Sequence, residues 1–195
     1  MARVEHMPEY ESEEAVWRAF RQGDRAAFQQ LYHRFANVLF NYGSKFTADR
    51  DLVRDAIQEL FLRLWRDRTR LGDTTSVKYY LFKALRRDLV RALQRKARFV
   101  AEASLSGPAF AIEYAHEVAL MQEELWQEQQ DRLNLGLEQL SPRQREAIFL
   151  RFYENLSYQE VAEVMSITPK STYKIIYKAI EMLQKHFKVF CLWLF

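Results

Sequence analysis

Apolar side chains recur every three to four residues in one capped segment after another along this chain, a pattern that allows little besides helices packed on helices. Before residue 100 the spacing predicts four such helices, about 12–21, 24–46, 49–67 and 76–98, each following a turn or capping residue: Ser12, Asp24, Asp49 and Ser76. Ala27, Leu31, Phe35, Val38, Leu39 and Tyr42 make one apolar stripe, and Val53, Ala56, Ile57, Leu60, Phe61 and Leu64 make another, enough for a helical bundle. With 5 Gly and 4 Pro in 195 residues, long helices are favoured over strands and tight turns.

The periodicity breaks at Ser104, Ser106, Gly107 and Pro108, which predicts a linker over 101–115. The chain therefore reads as all-α, with two small helical domains: a bundle over 1–100 and a second unit over 116–195. An acidic helix of about 116–138 leads into SPRQREAIFLRFY, where Ser141 caps, Pro142 takes the first helical position and Gln144 closes a capping box. LSYQEVAEVM repeats the device with Ser157 and Glu160, and sets Tyr158, Val161, Ala162 and Met165 on one face. In SITPKSTYKIIYKAI the last helix starts with Thr168 as cap and Pro169 behind it. Thr172, Ile176, Ala179, Ile180, Leu183 and Phe187 then share one face, and Lys170, Tyr173, Lys174, Tyr177 and Lys178 the other.

A short helix, a tight turn and a longer helix with one apolar and one basic face is the plan of a helix-turn-helix. The second helix of such a motif offers its first exposed residues to base edges in the major groove. Lysines there neutralise phosphates or bond guanine, and tyrosines bond phosphates or press on thymine methyls. The candidate duplex-binding set is Ser157, Lys170, Ser171, Tyr173, Lys174, Tyr177 and Lys178. The competing reading is a helical hairpin whose lysine face is merely solvated.

The net charge of +3 predicts no acidic partner by itself, but its segregation along the chain implies surfaces with different roles. Lys78 to Arg98 carries eight basic residues against Asp88 alone, whereas Phe99 to Glu146 carries nine acidic residues against three arginines. On the helix of 76–98, Phe82, Leu85, Leu89 and Leu93 line one face and Tyr80, Lys83, Arg87, Arg91 and Arg98 the opposite one. Such a stripe fits a phosphate track with a ring available for a base, the combination that binds single strands. On the helix of 49–67, the side away from the apolar stripe holds Asp55, Gln58, Leu62 and Trp65, with Glu59 at its margin. A Leu and a Trp inside an acidic and amide rim suggest a protein interface; the alternative is that Trp65 folds back onto the bundle.

Several chemistries are not encoded. The single Cys191 forms no internal disulfide, and His6, His33, His116 and His186 are isolated, so neither a metal nor any other cofactor is expected. No glycine-rich phosphate loop, nucleophile motif or clustered His and carboxylates points to an enzyme, and no catalytic residue is assigned. An acidic N-terminus without an apolar core predicts no signal peptide. The longest apolar run, Val189 to Phe195, is far short of the roughly 20 residues that span a bilayer, so a cytoplasmic protein without membrane insertion is expected.

LEQLSPRQREAIFLRFYENLSYQEVAEVMSITPKSTYKIIYKAIEMLQKHF closely resembles the minus-thirty-five-element-binding domain of bacterial RNA polymerase sigma factors of the extracytoplasmic-function group. RDLVRDAIQELFLRLW resembles that family's polymerase-binding helix and SVKYYLFKALRRDLVRALQRKAR its minus-ten-element-binding helix, with the motifs in family order over roughly 20–100 and 130–187. The resemblance implies a subunit without chemistry of its own that recruits core polymerase to promoters, reads both elements and assists melting. Its partners would be promoter DNA, the clamp helices of the polymerase's largest subunit, the flap, and an anti-sigma factor. It implies a polymerase contact at Asp55, Gln58, Glu59, Leu62 and Trp65. It also implies a minus-ten contact at Asp73, Thr74, Thr75, Tyr80, Lys83, Arg86, Arg87 and Arg91, where the loop 71–76 captures a base flipped from the opened non-template strand. The acidic middle would set the spacing between the domains.

The chain departs from the family at Arg87, where Asn is common, at Ile175, where Arg is frequent, and at Pro169. Promoter sequence therefore does not transfer from other members; the variants resemble Bacteroidetes-type members more than enterobacterial ones. The end, FKVFCLWLF, lies outside the resemblance. It either packs on the second domain, docks a regulatory partner such as an anti-sigma factor, or touches a membrane surface with support from Lys185 and Lys188. Two rival functions stay open: a free-standing helix-turn-helix regulator, which would bind duplex tightly without polymerase, and a helical adaptor docking through that apolar tail.

Overall fold

A computed structural model describes residues 10, 12–74, 76–99, 110 and 135–191, except for the side chains of 97–99 and 186–191. Every regular element among the described residues is helical. The chain divides into two compact units, Met1–Ser104 and Leu105–Phe195.

The first unit is built from α1 (Glu13–Arg21), α2 (Arg25–Ser44), α3 (Arg50–Asp67) and α4 (Val77–Phe99), with a 3₁₀ turn at Arg68–Arg70. All four expected caps are in place. Ser12 Oγ accepts from the Ala15 amide, Asp24 from Ala26 and Ala27, Asp49 from Leu52, and Ser76 Oγ from Tyr79. Each bond satisfies an amide that the first helical turn leaves without a partner. Both predicted stripes face inward: Ala27, Leu31, Phe35, Leu39 and Tyr42 of α2 and Val53, Ile57, Leu60, Phe61 and Leu64 of α3 are buried, with Val38 and Ala56 half-buried at their margins. Phe82, Leu85 and Leu89 of α4 close the core, with Tyr42 and Phe82 ring centres 4.7 Å apart.

Glycine is needed at two points. Gly23 turns the chain from α1 into α2 at φ +94°, a conformation that side-chain-bearing residues avoid. Gly43 lets α2 approach α3 closely, since a Cβ there would lie 2.6 Å from Val53 Cγ1.

The second unit contains α5 (Pro142–Ile148), a π-helical turn (Phe149–Tyr153), α6 (Tyr158–Val164) and α7 (Pro169–Cys191). Both predicted capping boxes are formed, Ser141 with Gln144 and Ser157 with Glu160. The turn from α6 to α7 places Ser166 at φ +56°, while the Ile167 amide returns to the Ala162 carbonyl at 2.8 Å, closing α6. Thr168 then caps α7, accepting from the Ser171 amide at 3.2 Å. Of the predicted acidic helix only its end, 135–138, lies within the described residues. Phe110, placed in the linker by its sequence context, is instead buried 5.9 Å from the Phe149 ring, because a large ring removed from water outweighs the turn-forming residues around it.

Candidate nucleic-acid and protein interfaces

On α7 the start of the predicted apolar face turns inward, while Ile180 and Leu183 are half-buried and the Phe187 side chain lies outside the described residues. Thr172, Ile176 and Ala179 are buried, and the Thr172 hydroxyl donates to the Thr168 carbonyl at 3.2 Å, so its polar atom is satisfied inside. Burying a side chain the size of Ile176 stabilises the unit by about 1.5–3 kcal/mol, which holds the opposite face outward. That face presents Lys170, Tyr173, Lys174, Tyr177 and Lys178 to solvent, with Tyr173 56% and Tyr177 72% exposed. Ser157 and Ser171 stand nearer the motif's own framework: the Ser157 hydroxyl accepts from the Glu160 amide, and Ser171 Oγ lies 2.9 Å from Thr168 Oγ1. An outward strip of lysines and tyrosines on a firmly capped helix suits a polyanion with readable base edges.

In this unit sequence reasoning missed a second contributor. The Tyr158 ring lies on Tyr173 at 4.1 Å with planes 12° apart, and the Arg151 guanidinium sits 5.1 Å from the Tyr158 ring centre. Tyr158, which shares a face of α6 with Val161, Ala162 and Met165, is half-buried where they are buried, because its position at the helix start brings it to the edge of α7.

In the first unit Lys83, Arg87 and Arg91 form an exposed cationic strip on α4, with Arg86 half-buried beside it. Tyr80 departs from the expectation of a ring on that open face: it is half-buried, 5.5 Å from the Trp17 ring centre. Burial holds its phenol above the ordinary value against the pull of Arg87 and Arg63. The cause is α1, whose Trp17 packs over the start of α4.

The same helix fixes the loop before α4. Trp17 Nε1 donates to the Gly72 carbonyl at 3.1 Å, Arg21 is ion-paired with Asp73, and the Val77 amide donates to Glu13 at 3.2 Å. Thr74 Oγ1 accepts from the Ser76 amide at 3.2 Å, and Thr75 lies outside the described residues. The three contacts made by Trp17, Arg21 and Glu13 join positions more than fifty residues apart, so no local pattern signals them.

On α3, Asp55, Gln58, Glu59 and Leu62 are exposed, Leu62 by 65%. Trp65 joins them only in part, being half-buried. It folds back onto the bundle, with ring centres 5.0 Å from Phe28 and 6.4 Å from Phe20, and carries the Arg68 guanidinium 4.4 Å over its ring. The Phe20 and Phe28 rings offer Trp65 more apolar contact than water does. Arg63 pairs with Asp88, linking α3 to α4, and Lys96 donates to Asp49 at 2.7 Å.

Comparison with known families gives two matches in order along the chain. Residues 31–99 match sigma-70 region 2, and residues 130–183 match sigma-70 region 4, together more than half of the sequence. The chain belongs to the sigma-70 family. Within that family it is 23% identical over 159 residues to the extracytoplasmic-function RNA polymerase sigma factor SigM of Bacillus subtilis, covering 80% of this chain and 91% of SigM. Its fold is similar to that of RpoE, solved in complex with the anti-sigma factor NepR from Bartonella quintana, at TM-score 0.61 and 23% identity over 83% of this chain and 97% of that one. It is likewise similar to CnrH, solved with the cytosolic domain of CnrY, at TM-score 0.59 and 19% identity over 91% of this chain and 97% of that one. The helix-turn-helix on α6 and α7 therefore lies in a sigma region 4, and α3 and α4 in a sigma region 2.

No helix among the described residues is long and apolar enough to cross a membrane. The tail beyond Cys191 lies outside the described residues.

Proposed function

We propose that this chain is a sigma factor of the extracytoplasmic-function group that brings core RNA polymerase to specific promoters and assists their opening. It acts by binding and is not an enzyme. In this reading α7 enters the major groove of the upstream element with Lys170, Tyr173, Lys174, Tyr177 and Lys178, while Ser157 and Ser171 border the phosphates. The strip Lys83, Arg86, Arg87 and Arg91 on α4 tracks the opened strand. The loop with Asp73, Thr74 and Thr75 receives a base from it, and Tyr80 shapes the pocket from beneath. The face Asp55, Gln58, Glu59 and Leu62 of α3 docks on the clamp helices of the largest subunit, with the half-buried Trp65 supporting that face from the bundle side. The second unit would also meet the flap. SigM, described as an RNA polymerase sigma factor, and the capture of RpoE by an anti-sigma factor support both a polymerase and an anti-sigma partner for this chain.

The observation that carries the reading is the outward cationic and aromatic face of α7 on a capped helix of a region 4 match. A salt titration of promoter binding, with and without core polymerase, tests it. Binding is expected to be weak for the chain alone and strong with core, and each of Lys174→Ala and Lys178→Ala should lower the salt slope by about one. Tight duplex binding without polymerase would instead make the chain a free-standing regulator.

A further inference from the structure

Tyr173 and Tyr177 sit one helical turn apart on the exposed face of α7, yet they are held differently. The Tyr177 ring has no ring partner among the described residues and is the more exposed. The Tyr173 ring is covered on one face by Tyr158, with centres 4.1 Å apart and planes 12° from parallel. Tyr158 is held in turn by Arg151, which lies 5.1 Å from its ring centre and donates through Nη1 to the Leu156 carbonyl at 2.9 Å, tying the stack to the turn before α6.

A tyrosine on an open helix surface samples more than one staggered rotamer, whereas a stacked one occupies a single orientation before any ligand arrives. Preorganising a contact residue removes an ordering cost from binding and penalises ligands that do not fit its fixed position. With one face covered, Tyr173 presents its rim and hydroxyl, which suit a base edge or a thymine methyl, and it leaves that face unavailable for stacking on a base.

We propose that Tyr158 is a positioning residue for promoter reading: by stacking on Tyr173 it fixes that ring against one base pair of the upstream element, so that Tyr173 sets specificity while Tyr177 adds affinity. This inference rests on the reading of α7 as the duplex-binding helix.

The test uses the full chain with core polymerase and measures binding to a selected promoter and to its single-base-pair variants across the upstream element. Tyr158→Leu keeps an apolar side chain in the half-buried position and removes the stack; melting curves establish that the variant is folded. It should reduce discrimination about two- to tenfold at the base pair where Tyr173→Ala also reduces it, the size of effect an aromatic pair contributes. The double variant should discriminate no worse than Tyr173→Ala alone, and Tyr158→Phe, which retains the stacking ring, should behave as the parent. An unchanged profile for Tyr158→Leu, losses that multiply in the double variant, or a Tyr158→Phe defect equal to that of Leu would overturn the inference. Lys174→Ala and Tyr177→Ala in the same assay separate the two levels. If they weaken binding while Tyr158→Leu does nothing, only the positioning role falls; if neither has any effect, the duplex-binding reading falls with it.

Discussion

Leu62 and Trp65, three residues apart on α3, have opposite fates, and the difference separates docking from folding. Leu62 stands 65% exposed among Asp55, Gln58 and Glu59, whereas Trp65 packs on Phe20 and Phe28. Truncating a buried Trp costs about 3–5 kcal/mol, and Trp65 is only half-buried, so Trp65→Ala should cost about 2 kcal/mol in a urea melt. Leu62→Ala should leave the melt within about 0.5 kcal/mol and weaken binding to core polymerase at least about fivefold. Equal effects of both variants in both assays would contradict the assignment. Asp49 offers a pH test. The Lys96 ammonium, first, and the Leu52 amide hold its carboxyl below the ordinary value of 3.8. The unfolded chain therefore takes up that proton more readily than the folded one. The stabilisation is complete above the ordinary value and fades as pH falls through the lowered one. The difference in urea midpoint between the parent and Asp49→Asn should thus be largest near neutrality and shrink in acid; a difference independent of pH would show that the Lys96 contact does not stabilise the fold.

At the scale of the element, close packing and caps decide how firmly each interface is presented. Gly43→Ala should destabilise the first unit by about 1–3 kcal/mol in denaturant, because the added methyl would meet Val53 across the α2 and α3 contact. Loss of the Ser157 cap should cost about 1 kcal/mol of the second unit's stability. Elements of this kind were readable from sequence, since caps and 3.6-residue stripes are local, and each of the four helices of the first unit begins within a residue of its predicted start. The outward face of α7 was readable for the same reason. Tyr80, Trp65 and Phe110 were harder, because the direction an aromatic ring takes at the edge of a stripe depends on a distant partner: Trp17, the Phe20 and Phe28 pair, and Phe149 respectively. The stack of Tyr158 on Tyr173 was missed because those residues lie on different helices, and periodicity within one helix says nothing of what meets its neighbour.

For the whole molecule, a net charge of only +3 conceals two cationic strips, Lys83, Arg87 and Arg91 in the first unit and Lys170, Lys174 and Lys178 in the second. If one promoter engages both while polymerase holds the chain, substitutions in either strip should weaken the same complex and lower its salt slope. The decisive measurement is transcription by purified core polymerase on a library of genomic fragments, with and without this chain, read as the positions of RNA 5′ ends. Starts are expected that appear only when the chain is added and that are lost both with Lys83→Ala/Arg87→Ala and with Lys174→Ala/Tyr177→Ala. An absence of chain-dependent starts, or starts indifferent to the substitutions in either strip, would contradict a sigma factor that engages one promoter through both strips.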